Sequence, residues 1–167
     1  MSMKARQRLT YVLRPPRPGE MGWIVSRHGA LYAEEEGYNE QFEGVVARVV
    51  ADFLRRHDPA KERCWIAEKD GAPVGSVMLV RKSPRVAKLR LLLVEPSGRG
   101  SGIGSALIRE CIAFARQAGY GKMTLWTHKN LRAARRLYRH AGFRLVSAKR
   151  NPSFGRKLVD EIWELEL

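Results

Sequence analysis

The sequence predicts an α/β sandwich: a mixed, mostly antiparallel sheet of about six to seven strands flanked by about four helices. Three observations predict it. Apolar residues recur with the 3.6-residue period of helices in some segments and in short β-rich runs in others. The segments come in a telling order: a short opening strand, two helices, three meandering strands, then helix, strand, helix and two closing strands. Glycines, prolines and an Asp-Gly pair fall at the joins between them.

Taken in order, residues 9–14 read as a short strand stopped by Pro15, Pro16 and Pro18. Residues 19–37 are helical, with Met21, Trp23, Ile24, His28, Leu31 and Tyr32 available for one face. Residues 42–53 repeat the pattern with Phe42, Val45, Val46, Val49, Val50 and Phe53. Residues 64–68 are a strand, Asp70-Gly71 is a hairpin signal, and residues 74–80 return. A third strand, residues 87–94, ends at Glu95-Pro96. Ile103, Leu107, Cys111, Phe114 and Ala118 then form the stripe of a long amphipathic helix, which Gly119 closes. Residues 123–126 are a strand. Asn130 is the expected N-cap of a helix over residues 131–141, ended by Gly142. Residues 143–148 and 159–167 are the last strands.

The chain of 167 residues is long enough for one domain with a proper core, expected over residues 9–167. Residues 1–8 are basic without an apolar run behind them, so they read as a loose arm rather than a secretory signal. No stretch has the ~18 uninterrupted apolar residues of a membrane span. Cys64 and Cys111 are far apart and flanked by apolar residues, which reads as two buried thiols in a reducing, cytoplasmic compartment. No CxxC or HxxxH pattern occurs, so no metal is expected. The net charge of +14 raises the question of a polyanionic partner. The cations are mostly arginine, spread along the chain, with no lysine block and no interleaved aromatics. That argues against nucleic acid and leaves some arginines free to attract an anionic cofactor.

The informative stretch is Ser97-Gly98-Arg99-Gly100-Ser101-Gly102-Ile103-Gly104, which joins a strand to the start of a helix. Unpaired N–H groups at a helix N-terminus bind phosphate, and glycine lets an anion approach the backbone. The dinucleotide fingerprint fails because Ser105 stands where a glycine or alanine is needed and no acid ends the next strand. The P-loop fails because no Gly-Lys-Ser/Thr follows.

The pattern Arg99-x-x-Gly102-x-Gly104 follows Leu92-Leu93-Val94-Glu95-Pro96 and precedes Asn130, Ala133, Ala134, Leu137, Tyr138, Gly142 and Phe143. This combination resembles the GNAT superfamily of acetyl-CoA-dependent N-acetyltransferases. The resemblance runs over almost the whole chain and implies that residues 89–143 bind acetyl-CoA. Two further segments, SRHGALYAEE and SFGRKLVDEIWELEL, resemble the acetyltransferase half of proteins that fuse a MarR-type DNA-binding domain to a GNAT domain. No winged-helix pattern precedes Leu9, so a catalytic module alone is expected.

The resemblance implies roles for single residues. The backbone of Leu92, Leu93 and Val94 would pair with the pantetheine arm. The amides of Arg99, Gly100, Ser101, Gly102, Ile103 and Gly104, with Ser105, would hold the pyrophosphate. Asn130 would contact the pantetheine or order a water. Tyr138 would be the general acid that protonates the departing thiolate. Some members carry a glutamate on the strand before the loop, but the matching positions here read Leu89-Arg90-Leu91-Leu92-Leu93. Glu95 reads as a solvated turn residue, and Glu35 and His28, on the first helix, are the candidates for the base. His128 could reach the site from its strand end or be merely exposed. Neither cysteine lies where a nucleophile is expected, so direct attack of an amine is implied. A small or amino-acid-like amine is favoured over a protein lysine. The alternative is an acetyl-CoA-holding sensor module that serves a transcription regulator. Many members pair through edge or C-terminal strands, which makes a homodimer an open expectation.

Overall fold

A computed structural model describes residues 10–167. The basic arm expected over residues 1–8 and the first residue of the predicted opening strand lie outside the described residues. Seven strands form one sheet in the order β1-β2-β3-β4-β5-β7-β6. They are β1 (Val12–Arg14), β2 (Arg63–Lys69), β3 (Ala72–Arg81), β4 (Val86–Val94), β5 (Lys122–His128), β6 (Arg144–Ser153) and β7 (Arg156–Glu166). Four helices cover it: α1 (Glu20–Glu36), α2 (Glu40–Arg56), α3 (Ile103–Gln117) and α4 (Arg132–His140). Among the described residues no helix is long and apolar enough to cross a membrane.

All neighbouring strands run antiparallel except β4 and β5, which are parallel and joined through α3. Each face of the sheet buries its own core. Trp65, Val77, Leu89, Leu107, Cys111, Met123, Leu125 and Trp163 pack beneath α3 and α4. Ile24, Phe42, Val46, Val50, Ile66, Met78 and Phe154 pack beneath α1 and α2. Strand alternation assigns β4 to both: Ala87 and Leu89 serve the first core, and Lys88 and Arg90 point to the other side.

The predicted elements differ from the observed ones mainly after residue 143. β6 and β7 extend into a long hairpin turning at Phe154 and Gly155, both with positive φ (54° and 75°). Residues 144–152 are exposed throughout, so no buried face imprints a two-residue period on that sequence. The N-cap expectation for Asn130 is corrected. Leu131 holds that position without a side-chain cap bond, because the Asn130 amide is drawn away to Glu36 (2.8 Å) and the Tyr38 hydroxyl (3.1 Å).

Candidate active site

The site begins with a defect in β4. Ser76 pairs with Leu93 and Met78 with Arg90, so one residue of β3 faces two of β4. Leu91 takes φ 54° in this bulge, and the Ser76 hydroxyl donates to its carbonyl at 3.1 Å. Downstream, β4 and β5 part. Their ladder runs only from Val86↔Lys122 to Leu89↔Leu125, so residues 90–94 keep one free edge. The Glu95 N–H bonds back to Val74 O at 2.7 Å. By alternation, the N–H groups of Leu92 and Val94 point into the opening.

The loop after β4 completes the lining. A 3-10 turn over Pro96–Gly98 precedes it, and the Ser101 hydroxyl donates to Gly98 O at 2.6 Å. Gly102 is the N-cap of α3 with φ 81° and no side-chain cap bond, so the first N–H groups of α3 are left for a ligand. Gly104 serves a different purpose. A Cβ there would meet Leu137 Cδ1 at 2.7 Å, so glycine lets α4 close against the start of α3.

The result is a cavity of about 610 Å³. Leu92, Leu93 and Val94 line one wall, Arg99 through Ser105 except Ser101 line the floor, and Arg132 and Arg136 of α4 stand at the rim. A smaller cavity of about 80 Å³ adjoins it, and both are bounded by Tyr32, Leu92, Leu131 and Ala134. His28, Lys88, Arg90, Trp126, His128 and Tyr138 line the smaller one. An extended ligand that lies along the β4 edge with its phosphates at α3 therefore ends at the junction of the two.

The candidate side chains distribute unevenly. Tyr138 is buried and lines the smaller cavity; burial, with Tyr32 beside it, holds its phenol above the ordinary value. His28 is buried, and its Nδ1 lies 2.8 Å from Ile24 O, which fixes Nδ1 as the donor. Nε2 is therefore a lone pair, and it has no partner among the described residues. Burial pulls the imidazole down to about 4. His28 thus presents a neutral imidazole whose Nε2 lone pair is open to a hydrogen-bond donor. Glu35 lines the larger cavity and is ion-paired with Arg99 at 2.8 Å, across the mouth of the glycine-rich loop.

Other expectations change with long-range contacts. Glu95 is not a solvated turn residue: its carboxylate takes two hydrogen bonds from Arg27, one at 3.0 Å, and ties α1 to the end of β4. His128 is buried, not exposed, with Nδ1 2.7 Å from the Tyr38 hydroxyl and Nε2 3.3 Å from Asp160. Asn130 lines neither of these two cavities and instead bridges α1 to the start of α4. Cys64 and Cys111 are buried free thiols, and burial raises both pKa values, to about 12 for Cys64. Both are therefore poor nucleophiles. Among the described residues no group of three or more His, Cys, Asp or Glu side chains could hold a metal ion. Lys88, Arg90, Arg132 and Arg136 carry no local signal of a site in the sequence, because only the parting of β4 from β5 and the seating of α4 bring them to the cavities.

A free strand edge beside an uncapped helix N-terminus is an arrangement that suits an extended ligand ending in a phosphate. The Acetyltransferase (GNAT) family model matches residues 27–143, and the chain belongs to that family. It is 30% identical over 115 residues to an uncharacterised N-acetyltransferase of Schizosaccharomyces pombe, covering 68% of this chain and 70% of that one. It is 35% identical over 99 residues to N-acetyltransferase family 8 member 2 of Rattus norvegicus, covering 56% of this chain and 44% of the rat protein. The chain thus spans less than half the length of that relative. The YncA structure of Salmonella typhimurium, solved with its cofactor acetyl-CoA, superposes with a TM-score of 0.75 at 18% identity, covering 95% of this chain and 94% of that one. The ribosomal-protein-alanine N-acetyltransferase of Brucella melitensis gives 0.75 at 19% identity, covering 93% and 99%.

Proposed function

We propose that this protein transfers the acetyl group of acetyl-CoA to a small primary amine by direct attack. The observation that carries the reading is the meeting of two cavities at the split of β4, with Tyr138 at the wall of the smaller one. The larger cavity suits the cofactor. Its floor offers unpaired amides and open φ-positive glycines to a pyrophosphate, and its wall offers the free edge of residues 92–94 to an amide-bearing chain. Arg132 and Arg136 add positive charge at the rim, which accounts for part of the basic composition. Acetyl-CoA supplies the activated carbonyl.

The amine nitrogen attacks that carbonyl carbon from the smaller cavity, and the C–S bond breaks. Tyr138 gives its hydroxyl proton to the sulfur, and the proton that the attacking nitrogen sheds passes through water to restore the phenol. From ordinary values this transfer is uphill by roughly 2 kcal/mol. Burial raises the phenol, and the same apolar setting raises the thiol, so the gap does not widen in proportion. His28 Nε2 accepts a hydrogen bond from the amine and aims its lone pair. Glu35 holds Arg99 over the loop until the pyrophosphate arrives. The neutral form of an alkyl amine at pH 7 is about 1 part in 2,500, equivalent to ~4.6 kcal/mol, which water-mediated proton loss must offset.

Kinship with the acetyltransferase half of MarR–GNAT fusions rests on the two sequence segments given above, and a cytoplasmic location and a homodimer belong to the same proposal. The test is thiol release from acetyl-CoA across a panel of small amines, amino acids and lysine-containing peptides. Release with at least one small amine supports the reading; release without any acceptor dependence refutes it.

A further inference from the structure

The smaller cavity holds a charge arrangement that acetyl transfer alone does not require. Lys88 and Arg90 lie two residues apart on β4, on the same face, and both line the cavity. Both are half-buried. No ion pair joins either to a described carboxylate. The acids in the neighbourhood are committed elsewhere: Glu95 to Arg27, and Asp52, which acts on Arg90 only at a distance, to Arg55 at 3.7 Å. Burial, then the like charges of Arg90 and Lys82, hold the Lys88 ammonium below its ordinary value, and burial does the same to the Arg90 guanidinium. Two neighbouring cations, partly stripped of water and without counter-ions, are an unfavourable arrangement that an anion would relieve.

The rest of the lining mixes polar groups, His28, Tyr32, Thr127, His128 and Tyr138, with apolar ones. Phe42, Val45, Val49 and Trp126 surround the two cations, and Val45 is 38% exposed, so the cleft opens to solvent beside α2. Leu92, which borders both cavities, follows Arg90 by two residues, across the bulge at Leu91. A doubly cationic cleft repels a polyamine and attracts an acceptor that carries an anion beside its amine.

We propose that Lys88 and Arg90 form a carboxylate-binding subsite, so that the amine acetylated here is an amino acid with an apolar side chain. This rests on the transfer reading above. Bidentate pairing of Arg90 with the carboxylate holds the amine toward Leu92, and the aromatic and valine walls take the side chain.

The experiment compares matched pairs in the thiol-release assay: leucine with 3-methylbutylamine and with leucine methyl ester, and phenylalanine with phenethylamine. The free amino acid is expected to be preferred by at least about tenfold in kcat/KM. Arg90→Leu with Lys88→Met should remove that preference, and Arg90→Lys should retain part of it, with acetyl-CoA binding by calorimetry reporting that each variant is folded. Equal rates within the pairs, a preference for the amine or the ester, or a preference that survives in the folded double variant overturns the subsite. The wild-type ester comparison decides the matter even where a variant fails to fold. Failure of every amine to release thiol overturns the transfer reading and the subsite with it, whereas release at equal rates within the pairs overturns the subsite alone.

Discussion

Alanine at Gly102 and alanine at Gly44 are the same chemical change with opposite expected signs. Gly102 has φ 81°, and a Cβ there would meet nothing within 4 Å, so the whole penalty comes from the left-handed backbone. That penalty is about 1–2 kcal/mol. Gly44 lies exposed inside α2, also with nothing within 4 Å of an added Cβ, and its φ lies outside the positive range. Alanine there should gain about 0.5–1 kcal/mol from helix propensity and a less flexible unfolded chain. For a chain of this size each kcal/mol moves Tm by about 2–4 °C. Gly44→Ala should therefore raise Tm by about 1–4 °C and leave acetyl-CoA binding unchanged. Gly102→Ala offers two outlets for its strain. If the loop holds its shape, Tm falls by about 2–8 °C. If it relaxes, the amides of α3 turn away and acetyl-CoA affinity falls by about 5–30-fold, because binding must restore the strained form. Differential scanning calorimetry and titration calorimetry measure the two quantities. A Gly102→Ala protein with both Tm and Kd unchanged would show that this glycine is not needed for the phosphate loop.

Tyr138→Phe should lower kcat by about 100-fold with little change in the KM for acetyl-CoA, measured by thiol release; an unchanged kcat would sink the general-acid role. His28 makes stability pH-dependent. Its folded pKa of about 4 lies below the ordinary ~6.5, so the unfolded state binds the extra proton first. The contribution is complete above pH ~6.5 and is lost as pH falls toward 4, about 2 kcal/mol of it by pH 5. Urea unfolding at pH 7 and pH 5 should reveal the loss in the wild type and a smaller one in His28→Phe, and equal losses would refute the assignment. Glu95→Gln removes the charge and one of the two bonds between α1 and the end of β4 and should cost about 1–3 kcal/mol in urea unfolding.

Much of the molecule is legible along the chain because the physics there is local. The amphipathic stripes of α2 and α3 specify which helix faces are buried. Asp70-Gly71 specifies a hairpin because both residues adopt positive φ, 51° and 78°. The Gly100–Gly104 stretch specifies a tight strand-to-helix loop because Gly100 and Gly102 adopt positive φ, 79° and 81°. Residues 144–158 are less legible, since an exposed strand carries no buried face to set its period. The Asn130 amide is equally obscure, because capping through its oxygen and donating from its nitrogen to Glu36 ask for different side-chain orientations, and the position of α1 decides between them.

The sequence alone determined the order of elements, the family's two motifs and the glycine-rich loop at residues 97–104. Tertiary structure decided the chemistry next to that loop. The bulge at Leu91 and the parting of β4 from β5 depend on register against β3, a relation between residues distant in the chain. That register leaves the edge at residues 92–94 free, while the packing of α1 and α2 over the sheet buries His28, sets Glu35 against Arg99 and encloses Lys88 and Arg90 in a cleft without an ion-pair partner among the described residues. A side chain's charge is written in the sequence, but whether that charge has a partner depends on what the fold brings within a few ångströms of it.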